Sequence, residues 1–138
     1  MSSFVTFTIE DRLYGVDVQR VQEALRAHAR TRVPLSAEGV SGLVNLRGQV
    51  VLTVDLRPRL GLTPVADGTE QMMVVVRVGG ETVSLLVDEI GDVVDVEPER
   101  VEAPPDTLDP AIRPLIRSAC TLADQLLLVL DVDEAAAA

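Results

Sequence analysis

The sequence predicts an all-β fold of two small barrels packed together, with little helix. Three observations carry this. Apolar residues recur with a period of two in short runs, as in Phe4 to Ile9 and Val50 to Val54. Turn signals interrupt such runs about every eight to twelve residues, the spacing of sandwiches and barrels. Aromatic residues are only 2% of the chain while Val is abundant, so the interior has to be built from Val, Leu, Ile and Ala, which favours sheet.

Taken in order, Phe4 to Ile9 alternates cleanly, with Val5, Phe7 and Ile9 on one face and Thr6 and Thr8 on the other. Glu10-Asp11-Arg12 is a polar turn and Leu13 to Val18 the returning strand. Tyr14 is expected at the edge of the core with its hydroxyl reaching solvent. Val21 to Leu25 is ambiguous, because good helix formers continue an alternating pattern. Thr31 to Pro34 is extended, since Pro34 turns Val33 away from helix. Ser36 to Glu38 is a loop or single turn.

The stretch from Val40 to Leu62, VSGLVNLRGQVVLTVDLRPRLGL, organises the rest. It reads as two strands joined by a tight turn at Arg47-Gly48, followed by a one-turn helix or loop. Val44 and Leu46 enter the turn. Val50, Leu52 and Val54 leave it, and Val51 interrupts the period of two. Gly48 supplies the backbone freedom of a tight turn, which leaves Arg47 projecting.

Thr63 to Glu70 carries Pro64, Asp67 and Gly68 without periodicity and reads as a linker between two sets of strands. Met72 to Val78 suits a strand buried on both faces, Gly79-Gly80 a two-residue turn, and Thr82 to Val87 the return. Ile90 to Val96 is a strand broken by Asp92 and Asp95 and closed by Pro98. Ala103 to Asp106 is a rigid connector. Leu115 to Leu122 and Leu126 to Val132 form a last hairpin, and Ala135 to Ala138 is expected to fray. The first barrel spans roughly 13–65 and the second roughly 70–122, with terminal strands near 4–10 and 125–132 completing them.

The net charge of −10 argues against general affinity for nucleic acid. Residues 1–62 hold eight Arg against six acidic residues, and residues 63–138 hold four against sixteen. That asymmetry suits head-to-tail association with itself or a relative, although a solvated acidic surface also accounts for it. No signal peptide or membrane span is evident. Cys120 is the single cysteine, which excludes an intrachain disulfide and suits a reducing cytoplasm.

Catalytic signals are sparse. His28 is the one histidine and lies in a polar, Arg-rich segment. Cys120 sits among apolar residues, as a buried thiol does. Neither a phosphate loop nor a dinucleotide fingerprint is present. The nine carboxylates from Asp88 to Asp109 do not follow the order of a calcium loop and read as a solvated strand face. No metal site, cofactor or enzymatic activity is expected.

The chain resembles the CheW-like chemotaxis adaptor family. The residues that carry the resemblance are Tyr14-Gly15-Val16-Asp17-Val18, Val21-Gln22-Glu23, Val33-Pro34, Gly42 to Gly48 (GLVNLRG) and Val54-Asp55-Leu56-Arg57. Leu86-Val87-Asp88, Pro104-Pro105 and Leu127 to Asp131 (LLVLD) continue it, over roughly residues 4–132. The resemblance implies two five-stranded SH3-like barrels and a non-catalytic scaffold. Such a scaffold couples the cytoplasmic tip of a chemoreceptor to the regulatory domain of the histidine kinase CheA, in cytoplasmic arrays at the inner face of the membrane. The alternative is a CheW-like module that regulates a different kinase or binds an unrelated protein partner.

The receptor-interface candidates that it implies are Val21, Glu23, Ala24, Gly42, Val44, Asn45, Arg47 and Gly48. Glu23 and Arg47 are expected to pair across the first barrel and hold the receptor-facing surface in shape. Ala24 stands where the family usually has a larger aliphatic residue. A C-terminal extension, and with it a helix after the Leu-Asp motif, is expected to be missing.

Overall fold

Eleven strands and two short helices appear in the computed structural model, which describes residues 1–26, 40–63, 65–66 and 69–136, the side chains of 40 and 41 excepted. The expected extended segment at Thr31 to Pro34, the loop at Ser36 to Glu38 and His28 lie outside the described residues. The strands are β1 (Ser2–Ile9), β2 (Arg12–Asp17), β3 (Val21–Arg26), β4 (Val40–Leu46), β5 (Gln49–Asp55) and β6 (Met72–Val78). They continue with β7 (Glu81–Val87), β8 (Glu89–Val96), β9 (Val101–Glu102), β10 (Ile116–Thr121) and β11 (Leu126–Leu130). The helices are α1 (Leu56–Arg59) and α2 (Val132–Ala136).

The strands form two sheets, one six-stranded in the order β8-β1-β2-β11-β10-β9 and one five-stranded in the order β3-β6-β7-β5-β4. The two-sheet β architecture is therefore the one expected, with the two-residue β9 as a sixth strand. Its division along the chain is different. Strands β3, β4 and β5 share the five-stranded sheet with β6 and β7, so the linker near residue 65 falls inside one sheet and does not separate two. Among the described strands the chain crosses between sheets twice, through a 3-10 turn at Val18–Arg20 and through the single residue Asp88.

Three tight hairpins place both central residues at positive φ, as the turn with matching strand twist requires. They are Glu10-Asp11 (φ 51° and 65°), Arg47-Gly48 (52° and 84°) and Gly79-Gly80 (57° and 83°). The ambiguous segment at Val21 is a strand. Its alternation and five residue pairings with β6 outweigh intrinsic helix preference.

Three apolar clusters make the interior. Phe4, Leu13, Val96, Cys120, Leu127 and Val129 fill the six-stranded sheet. Val44, Leu46, Val51, Met73, Val75 and Leu86 fill the five-stranded one. The largest cluster lies between the sheets and takes Phe7, Tyr14, Val54, Leu56, Val74, Leu85, Leu128 and Leu130, with others. Strand β6 is buried on both faces, as expected, with Met73 and Val75 inside its own sheet and Val74 and Val76 in the cluster between sheets.

Several expectations are corrected. Tyr14 is 2% exposed and stacks on Phe7 with ring centroids 6.2 Å apart, because β2 faces the other sheet and not solvent. In β5 the exception is the rule. Val51 is 1% exposed and Val50 is 63% exposed, since Val51 pairs with inward Val44 and Val50 with Asn45. Asp92 and Asp95 do not break β8, because both carboxylates are on exposed positions. Ala135 is fully buried in α2, which packs on the cluster between sheets. Asp131 starts this helix, its side chain accepting from Glu134 N at 3.2 Å. The expected absence of a helix after the Leu-Asp motif is thus overturned.

Candidate functional site

Strands β3 and β4 are the two edges of the five-stranded sheet, so its barrel has an open seam between them. Glu23 stands on β3 opposite Val75, on the strand face that carries inward Leu25. Arg47 projects from the β4–β5 turn. Its guanidinium reaches across the seam and donates two hydrogen bonds to the Glu23 carboxylate, one to Oε1 at 2.6 Å and one to Oε2. The fork geometry of Arg against a carboxylate makes this a directional tie as well as a charge contact. The Glu23 carboxyl is held below its usual range by hydrogen bonding to Arg47, and Arg47 is raised by the same bond. Arg47 keeps a 72% exposed side chain, while that of Glu23 is 21% exposed.

The turn that presents Arg47 has its own support. Asn45 Oδ1 accepts from Gly48 N at 2.9 Å, the side-chain turn bond for which Asn is suited. A Cβ at Gly48 would meet nothing within 4 Å, so the role of the glycine is its φ of 84° and not a close approach.

The other candidates divide into surface and support. Ala24 is exposed and Val21 is partly buried against the cluster between sheets. Val44 is 2% exposed and belongs to the barrel interior. Gly42 is also buried, at a bulge where φ is 146°. Val44 and Gly42 therefore shape this edge from beneath. Two residues absent from the candidates lie on its outer face. Leu43 is 37% exposed and Val50 is 63% exposed, and the pairings Leu43 with Leu52 and Asn45 with Val50 place all four on one side of the hairpin. The alternation of the sequence contains this information only once the inward set is known to be Val44, Leu46 and Val51.

The rest of the V-D-L-R motif acts at the junction of the sheets. Asp55 Oδ1 accepts from Arg57 N at 3.1 Å and starts α1, and Leu56 is buried between the sheets. Arg57 is 7% exposed. Its Nε and Nη2 donate to Asp88 at 3.2 and 2.6 Å, Nη2 also lies 2.8 Å from Glu10 Oε2, and Nη1 donates to Thr63 O at 2.9 Å. Hydrogen bonding to Asp88 raises the Arg57 pKa, so the buried cation stays charged.

Cys120 is fully buried in the six-stranded sheet, and burial pushes its thiol up, away from the reactive thiolate. Among the described residues no group of three His, Cys, Asp or Glu side chains is placed to hold a metal ion. No helix among them is long and apolar enough to cross a membrane.

Comparison with known proteins agrees with the motifs. The family model for the CheW-like domain matches residues 3–138. Chemotaxis protein CheW of Klebsiella aerogenes is 25% identical over 131 residues, covering 95% of this chain and 79% of that protein. Chemotaxis protein CheW of Rhizobium meliloti is 26% identical over 129 residues, covering 94% and 83%. The fold is similar to the crystal structure of the scaffolding protein TtCheW from Thermoanaerobacter tengcongensis, with a TM-score of 0.88 at 22% identity over 99% of this chain and 88% of that one. With its sheets, its turn motif and a domain match over nearly its whole length in agreement, the chain belongs to the CheW-like family.

Proposed function

We propose that this protein is a non-catalytic scaffold that couples the cytoplasmic tip of a chemoreceptor to the regulatory domain of the histidine kinase CheA, on the cytoplasmic face of a receptor array. The observation that carries the reading is the Arg47–Glu23 fork across the seam of the five-stranded sheet, in a chain that the CheW-like domain model matches from residue 3 to 138. An exposed ion pair is a weak stability device. Its value lies in geometry, because it joins two sheet edges and fixes an exposed guanidinium at the turn of the hairpin whose outer face carries the apolar Leu43 and Val50. A helix laid along such an edge meets aliphatic side chains flanked by a fixed charge.

In this reading Arg47, Ala24, Asn45 and Val21 contribute to the receptor-facing surface together with Leu43 and Val50. Glu23, Gly42, Val44 and Gly48 hold it in shape. The test is binding of Arg47→Ala to an isolated receptor signalling tip and to a CheA regulatory domain, measured beside its melting temperature. Lost tip binding with a nearly unchanged melt is expected. Unchanged tip binding beside a lowered melt would overturn the interface role, and binding of the unaltered protein to neither partner would overturn the coupling function.

A further inference from the structure

The two sheets share a large apolar cluster, yet the chain joins them covalently at only two points among the described strands. Apolar contact is non-directional, so it resists separation of the sheets more than rotation of one over the other. Directional bonds are concentrated at the crossovers. At Asp88, the one residue between β7 and β8, the backbone N–H donates to Thr8 O of β1 at 3.0 Å, and the carboxylate accepts from Glu10 N at 2.9 Å. The same carboxylate accepts both Arg57 bonds. Arg57 belongs to α1, which follows β5 of the five-stranded sheet, whereas Glu10 lies in the β1–β2 turn of the six-stranded sheet. One buried guanidinium therefore grips both sheets at the crossover itself. At the other crossover Arg20 donates to Arg77 O at 3.1 Å and to Asp133 of α2 at 2.7 Å, but from a more exposed position.

We infer that Arg57 is a positioning residue: by clamping Glu10 and Asp88 it sets the angle between the two sheets, and through that angle the shape of the surface offered to a partner. The consequence for binding rests on the function proposed above; the consequence for the angle does not. A clamp with a planar fork cannot be replaced by a point charge of the same sign, so Arg57→Lys leaves the defect largely in place.

The angle is read in the free protein by spin labels at Val50→Cys and Leu126→Cys, exposed positions on different sheets, in a Cys120→Ala background. One narrow distance distribution is expected with Arg57, and a broadened or shifted one in Arg57→Gln and in Arg57→Lys. If only about one tenth of the variant population keeps the competent angle, affinity for a receptor tip falls about tenfold, since apparent affinity scales with that fraction. Asp88→Asn, which keeps the shape and removes the charge, gives the same direction of change should the Arg57 variants fail to fold. An unchanged distribution beside a lowered melting temperature overturns the inference and leaves Arg57 as a stability brace. A broadened distribution with unaltered tip affinity overturns its functional half. Failure of the unaltered protein to bind a tip defeats the coupling reading alone, because the distances still decide what Arg57 does.

Discussion

Substituting Val50 and Val51 by Ala, one at a time, separates the two faces of β5 by a large margin. Val51 is 1% exposed, within the cluster of Val44, Met73, Val75 and Leu86. Val→Ala removes two carbons, which at roughly 0.8 kcal/mol each plus a cavity contribution is about 2 kcal/mol. With an unfolding entropy of roughly 2.1 cal/mol/K per residue, a chain of 138 residues loses about 7 °C in melting temperature. Val50, at 63% exposure, has little burial to lose. Its replacement changes stability by less than about 0.5 kcal/mol, or about 2 °C. Urea denaturation followed by circular dichroism, with equal m-values confirming that midpoints report stability, measures both. Equal losses, or a larger loss for Val50, would show that β5 sits one residue out of the described register, because a slip of one exchanges the two faces. The same pair tests the proposed receptor face: Val50→Ala is expected to weaken tip binding while leaving the fold intact.

Further outcomes follow from individual environments. The Glu23 carboxyl, depressed by hydrogen bonds from Arg47, is expected to titrate below the ordinary Glu range by NMR. Because the folded pKa lies below the unfolded one, this contribution is present above the unfolded Glu pKa and is lost as pH falls through the folded value. In Arg47→Ala the titration should move up; no movement would refute the pairing in solution. The Cys120 thiol should resist a thiol reagent in the native state and react promptly in urea, and rapid native reaction would contradict its burial. Ala135→Asp places a charge in a fully buried site of α2. It should cost about 3 kcal/mol by denaturation, and a neutral effect would return α2 to the status of a frayed end. Thr53 and Ser84 pair across β5 and β7 with buried hydroxyls that have no hydrogen-bond partner among the described residues. Thr53→Val should therefore stabilise by up to about 1 kcal/mol, and a clear loss in the urea midpoint would reveal a bond that Thr53 makes.

Much of the architecture was determined by the sequence alone. Period-two or continuous apolar runs bounded by polar or glycine-bearing turns specify strands and hairpins locally, which is why β1–β2, β4–β5 and β6–β7 are all legible. The N-L-R-G and V-D-L-R motifs likewise mark the chain as CheW-like, and the resemblance singles out Arg47 in the first of them and Glu23 in Val21-Gln22-Glu23. What stayed hidden depends on partners distant in sequence. Val51 is inward and Val50 outward because of cross-strand register, a property of two strands together. Tyr14 and Ala135 are buried because a second sheet covers them, and no local pattern reports that. The division near residue 65 failed for the same reason, since parallel pairing of β5 with β7 carries one sheet across the linker. The clamp joins Arg57, Asp88 and Glu10, of which the first two lie in motifs that carry the resemblance, but nothing local in the sequence pairs the three. Only the tertiary structure brought them to one crossover and removed the water around the guanidinium, leaving the two carboxylates and a backbone carbonyl to take its place.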